Sequence, residues 1–187
     1  VPGGVSDVQK ALAFLGFNTV AQLVLSLSVF SMFSKFGDEQ LTMKDFWMHA
    51  LAVAVCSEEI AKRWKIGKPE EAFTCGLLHD IGKLVIHELD RDRLVFILKR
   101  AREGKKAFIK VEREQDLLSH AYIGEMMATR WGLPQVVRQS LRYHHTDVSK
   151  MASILGSTKK MIQVVRLANT VVVKNANGDA GAKTYGH

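Results

Sequence analysis

Start and stop signals for helices follow one another along this chain, and nothing between them alternates with the period of two that a strand requires. Ser6 can cap a first helix that stops at Gly16, and Asn18 a second that reaches about Lys35 before Gly37. Thr42 with Asp45 three residues later resembles a capping box, with Asp in place of the usual Glu or Gln, and opens a helix from Met43 to about Trp64. Its apolar and small positions Phe46, Ala50, Val53, Ala54 and Ile60 form a helical stripe. Gly67-Lys68-Pro69 breaks the chain, and Pro69 starts the next helix, which leads through residues 70–78 into His79-Asp80. A helix over residues 90–102 ends at Gly104. Ser119 caps another that runs to Trp131 and stops at Gly132-Leu-Pro134. Pro134 begins one that reaches His144-His145, and the last covers residues 159–174. Residues 146–150 read as a loop, and the tail from Asn175, rich in Gly, Ala and Asn, as a frayed end. The expected fold is all-α, an irregular multi-helix bundle without internal repeats.

A chain of 187 residues can bury a core without disulfides or structural metals, as one domain or two small lobes. Its longest apolar-rich stretch, residues 20–36, is interrupted by Gln22, Ser26, Ser28, Ser31, Ser34 and Lys35, which makes it a core helix rather than a membrane span. Residues 1–4 carry no signal-peptide pattern, so a cytoplasmic setting is expected. Cys56 and Cys75 lie in apolar surroundings without CxxC spacing and read as buried, reduced thiols. Much of the net charge of +7 comes from Lys99, Arg100, Arg102, Lys105, Lys106, Lys110 and Arg113. Glu103, Glu112, Glu114 and Asp116 share or flank that run and no stacking aromatics interleave with it. It reads as a solvated face, not a nucleic-acid surface.

Five of the seven histidines fall into four spaced clusters: Asp45-Phe-Trp-Met-His49, His79-Asp80-Ile-Gly-Lys83, Ser119-His120 and His144-His145. His and Asp are the side chains that bind metals and move protons near neutral pH. Asp45 and His49, four apart, project from one helix face. In Leu77-Leu78-His79-Asp80-Ile81-Gly82-Lys83 two adjacent candidate ligands end an apolar helix, Gly82 permits close backbone approach, and Lys83 has the charge to neutralise a phosphate. His144 and His145 can share a site only near a helix end, where the backbone departs from regular geometry.

These stretches give the chain a resemblance to HDOD domains, relatives of the HD-type metal-dependent phosphohydrolases. The matching segments are Ala11-Leu-Ala-Phe-Leu-Gly16, Asp45-Phe-Trp-Met-His49, His79-Asp-Ile-Gly-Lys83, Glu112-Arg-Glu114 before Ser119-His120-Ala-Tyr-Ile-Gly124, Trp131-Gly-Leu-Pro134 and His144-His145. The resemblance implies a bundle of the HD-domain type, found mainly in bacterial signalling proteins and often joined to receiver, GGDEF or EAL modules. Residues 1–175 would form the domain and 176–187 a flexible tail. The family's further N-terminal helical lobe has no counterpart before Val1, so the chain reads as a fragment. In the HD-GYP relatives, which hydrolyse cyclic di-GMP, the metal ligands fall at positions matching His49, His79, Asp80, His120, His144 and His145, and some carry an additional carboxylate at the position of Asp45. Two departures stand out. The late aspartate of those relatives is replaced by Asn169, and Thr146-Asp-Val-Ser149 stands where Gly-Tyr-Pro is expected.

Together these readings point to a non-catalytic signalling module that works through other signalling domains or proteins. Its His/Asp pocket would be structural or would hold a divalent transition metal: Fe, Mn, Zn or Ni. Losing the late carboxylate should weaken the part of the pocket nearest His49, His79 and Asp80 and leave the part with His120, His144 and His145 able to hold an ion. The alternative is a metal-dependent phosphohydrolase of nucleotide or cyclic dinucleotide phosphoesters, with Asp80 bridging two ions and Lys83 steadying a phosphate oxygen. A third reading keeps a nucleotide ligand without turnover. Residue by residue, blander roles compete. His49 alone reads as a core histidine bonded to a carbonyl, and Lys83 as a surface or carbonyl-capping lysine. Trp47, Trp131, Met126 and Met127 read as packing residues. Glu112 and Glu114 read as caps or partners of Arg113. His87 and His187 lie outside the pattern.

Overall fold

The computed structural model describes residues 42–178, together with Val24 and Ser28, which are both helical. The chain divides into two units, residues 1–34 and residues 35–187, and the helices described below belong to the second. The two helices expected before residue 37 otherwise lie outside the described residues.

Among the described residues every regular element is helical, as the punctuation implied. Helix α1 (Met43–Trp64) begins at the expected capping box: Thr42 Oγ1 accepts from the Asp45 N–H and donates to Asp45 Oδ2 at 2.7 Å. Helix α2 (Pro69–Leu78) has its proline at the start, and α3 (Ile81–Leu89) follows after only His79 and Asp80. Helix α4 (Arg91–Glu103) is capped by Asp90, whose side chain accepts from the Arg93 N–H, and ends at Gly104. A short α5 (Phe108–Glu114) leads to α6 (His120–Arg130), where Ser119 caps through the Tyr122 N–H. Helix α7 (Gln135–Tyr143) follows Pro134, and a 3-10 turn (Val148–Lys150) leads to α8 (Gly156–Gly178). Three differences from the sequence reading stand out. Helices α3 and α5 are too short to show a full amphipathic period. Helix α8 starts three residues early and passes the frayed end expected at Asn175. Of the two thiols only Cys75 is buried; Cys56 is half exposed on α1.

Helix α1 packs on α2 and α8, α3 on α6 and α4, and α7 on α6, α2 and α8. The predicted stripe of α1 goes into this core, with Phe46, Ala50, Val53 and Ala54 no more than 1% exposed, while Ile60 is only partly buried. Each large apolar side chain so buried contributes roughly 1.5–3 kcal/mol. Met126 points to solvent rather than into the packing, and Trp131 sits half-buried at the end of α6.

Two glycines allow the approaches that assemble the centre. A Cβ on Gly82 would stand 1.9 Å from the His120 carbonyl oxygen, so only glycine lets the start of α3 meet the start of α6. A Cβ on Gly76 would meet the α1 backbone, 2.8 Å from Ala54 Cα and 2.9 Å from the Val53 carbonyl oxygen. These contacts bring His49, His79, Asp80 and His120 from three helix ends and one helix face into one space.

Candidate metal centre

Asp80 is the hub. It occupies the N-cap position of α3, where an aspartate ordinarily spends its carboxylate on a backbone N–H. Here it makes no capping bond. Its carboxylate, 1% exposed, turns instead toward four imidazoles and one ammonium. Oδ2 lies 2.7 Å from Lys83 Nζ, 3.3 Å from His79 Nε2 and 3.9 Å from His49 Nε2. Oδ1 lies 3.2 Å from His120 Nε2 and 3.7 Å from His144 Nε2. His120 Nε2 also stands 3.2 Å from His145 Nε2.

Three of the imidazoles are held from behind. His79 Nδ1 is 2.7 Å from the Gly76 carbonyl, His144 Nδ1 is 2.8 Å from the Leu141 carbonyl, and His120 Nδ1 is 2.8 Å from Glu112 Oε2. Because a carbonyl or carboxylate can only accept, Nδ1 must carry the proton in each case, which leaves Nε2 as a lone-pair donor aimed at Asp80. The Nε2 atoms of His79 and His144 and Asp80 Oδ1 are buried without a hydrogen-bond partner. Unpaired buried lone pairs facing one another are costly unless a cation joins them. Two ligand atoms each about 2.1 Å from one ion stand roughly 3.0–3.5 Å apart. The spacings around Asp80 fall at or just beyond that range. The residues therefore fit a metal, in two groups that share Asp80: His120, His144 and His145 on one side, and His49 and His79 on the other.

Burial and neighbouring charge set the protonation states. Burial pushes His49 down to about 3 and His144 to about 4, and holds His145 well below the usual imidazole range. Burial would also lower His120, but the Asp80 and Glu112 carboxylates on either side of the ring outweigh it and raise this imidazole. For Asp80, burial opposes ionisation. The neighbouring His79 and Lys83, with the His120 and His144 rings facing Oδ1, override it and hold the carboxyl well below its ordinary value.

Six of the seven histidine and aspartate positions singled out in the sequence, His49, His79, Asp80, His120, His144 and His145, thus meet around one centre. Asp45 does not join them: its carboxylate is held by Thr42 at the start of α1, and it belongs to neither group. Asn169, 7% exposed on α8, stands beside His49, where its side chain favours the protonated ring. The expectation of a surface or carbonyl-capping Lys83 is overturned. It is 1% exposed, paired with Asp80 and 4.9 Å from the centre of the Phe108 ring. Glu112 was undervalued as a cap or partner of Arg113. It is fully buried and accepts from both the His120 backbone N–H at 2.7 Å and the ring. A glutamate beside Val111 and one turn after Phe108, followed by the His-bearing cap, was the available signal. Glu114 does pair, with Lys106 at 2.7 Å, on the solvated basic face.

Comparisons with known proteins agree with the all-helical fold. A family model described as the HDOD domain matches residues 1–147. A protein of Treponema pallidum (strain Nichols) that carries no assigned role is 23% identical over 167 residues, 89% of this chain and 31% of its own length. Among solved structures, an HDOD domain protein with unknown function from Geobacter sulfurreducens superposes with a TM-score of 0.77 at 22% identity, covering 100% of this chain and 59% of its own. A "Putative phosphohydrolase" from Shewanella amazonensis SB2B gives 0.76 at 26% identity, over 92% and 61%. The MmoQ response regulator from Methylococcus capsulatus strain Bath gives 0.61 at 26% identity, over 96% and 68%. The chain is thus shorter than each of these relatives, and spans less than a third of the first.

Proposed function

The chain belongs to the HDOD family, within the wider HD phosphohydrolase superfamily, and from that footing we propose that it is a non-catalytic signal-transduction module whose His/Asp centre holds one divalent transition ion. The ion would be held by Asp80, His120, His144 and His145. When bound it would supply a positive charge that ties α3, α6 and the end of α7 together. The observation that carries this reading is the asymmetry across Asp80. On the His120 side a buried carboxylate, Glu112, stands behind the ligand. On the His49 side the Lys83 ammonium already holds Oδ2, and Asn169 supplies no charge. Two-metal phosphoester hydrolysis needs both halves filled and their charge offset by carboxylates. Likeness to the MmoQ response regulator supports a role alongside other signalling domains or proteins, to which the state of the helix bundle would be relayed.

A second reading, a phosphohydrolase, is favoured by the otherwise complete ligand set and by the Shewanella relative. One experiment separates them. Protein purified without chelator is analysed for Fe, Mn, Zn and Ni, reconstituted, and screened against nucleotide and cyclic dinucleotide phosphoesters with Mn²⁺ and Fe²⁺. The module reading expects about one equivalent of metal and no turnover. Turnover abolished by Asp80→Ala and by His145→Ala would replace it with the enzyme.

A further inference from the structure

Beside the metal centre lies a pocket that shares His144 and His145 with it and is otherwise walled by residues outside the ligand groups. One face of α8 carries Arg166, Asn169, Thr170, Val173 and Lys174, at the i, i+3, i+4, i+7, i+8 spacing that lines residues up on a helix. With His144 and His145 opposite, this face walls a pocket of about 290 Å³. Two side chains of the wall are cations, and the others are imidazoles, an amide, a hydroxyl and one valine. No carboxylate lines it among the described residues. The guanidinium of Arg166 is steadied by an Nη1 bond to the Thr146 carbonyl at 2.9 Å, which fixes its planar fork at the wall. Asp147 feels that charge, but it is exposed and commits Oδ1 to the Ser149 N–H and hydroxyl.

A concave site with two cations, Arg166 held in place, with further N–H and O–H donors and no competing acid, is built for an anion. Its volume is at the low end of the roughly 300–1,000 Å³ typical of small-molecule pockets. We propose that this pocket binds a phosphate monoester of mononucleotide size or smaller, with the phosphate between Arg166 and Lys174. The inference deepens the module reading by giving the domain a ligand, and it rests on that reading only for the ligand's regulatory meaning. The binding itself needs no metal, because both cations belong to the chain.

The test is titration calorimetry on the whole chain with inorganic phosphate, adenosine 5′-monophosphate and adenosine, each on chelator-treated protein, with the two adenine compounds repeated after Mn²⁺ loading. The pocket predicts that phosphate and the monophosphate bind in the chelated state and adenosine does not. Lys174→Gln, at an exposed position that cannot unfold the core, should weaken the monophosphate about tenfold, and Arg166→Gln at least as much. Arg166→Lys, which keeps the charge but loses the fork, should fall between. Silence with both phosphate compounds at millimolar concentration overturns the proposal, as does adenosine binding equal to the monophosphate. Binding that appears only after Mn²⁺ loading and ignores Lys174→Gln places the anion on the ion, which removes the pocket while supporting the metal centre. Metal content measured on the same samples keeps failure of the centre distinct from failure of the pocket.

Discussion

The two sides of Asp80 are built from the same residue types and yet differ in what they can hold. On one side His120, His144 and His145 face Oδ1, and Glu112 stands behind His120 as a buried negative charge. On the other, His49 and His79 face Oδ2, which already meets a buried ammonium at 2.7 Å, while the nearby α8 side chain is the neutral Asn169. By residue type the halves look alike, with three histidines on one side and two on the other. Counting charge separates them, because a divalent ion beside Lys83 would bring two cations into a space with little water to screen them. The surroundings, more than the side chains facing Asp80, set which half is better fitted to hold an ion.

The comparison breaks most sharply at its shared member. Asp80→Ala should abolish metal binding on both sides and strand Lys83 as an unpaired buried charge, costing on the order of 3–5 kcal/mol of stability in chemical denaturation. Next, Glu112→Gln keeps the shape of the His120 support but removes its charge. Metal affinity in equilibrium competition should fall about 10- to 100-fold, whereas a purely packing role for Glu112 would leave it unchanged. Asn169→Asp restores a carboxylate to the weaker half and should draw in a second, looser equivalent in metal analysis; an unchanged stoichiometry would assign the asymmetry to Lys83 alone.

A smaller effect concerns pH in the metal-free chain. His49, His144 and His145 are held neutral in the fold, with His49 down at about 3 and His144 at about 4, while unfolded histidines take protons near 6.5. The unfolded state therefore binds more protons below that value, and stability should decline between pH 6.5 and 4. Each such group accounts for at most about 3 kcal/mol. His120, raised by Asp80 and Glu112, works in the opposite direction and softens the slope. Thermal melts of chelated protein across that range should show a falling midpoint; a flat profile would mean that these imidazoles are not kept neutral.

The helical fold and the members of the His/Asp cluster were legible in the sequence because both have local signatures. Thr42, Ser119, Pro69 and Pro134 mark helix starts by backbone chemistry that needs no tertiary partner, and His79-Asp80 and His144-His145 are adjacent. Gly82 was also legible, as a close approach, although its partner, the His120 carbonyl, was not. What stayed hidden was set by contacts distant in sequence or by where a long side chain turns. Lys83 looked like a surface or carbonyl-capping lysine until α3 met Phe108, and Glu112 like a cap or partner of Arg113 until α5 met the start of α6. Asp45 misled for the opposite reason. Its spacing to His49 was sound, but the same residue also completes a capping box, and that local bond holds it.

The most direct test is a Co²⁺ titration of chelated protein followed by visible absorption, carried out on the wild-type chain, His49→Ala and His145→Ala. The asymmetry predicts an endpoint at about one equivalent for the wild type, the same endpoint and spectrum for His49→Ala, and loss of the spectrum for His145→Ala. An endpoint at two equivalents, or a spectrum that survives His145→Ala and is lost with His49→Ala, would contradict it.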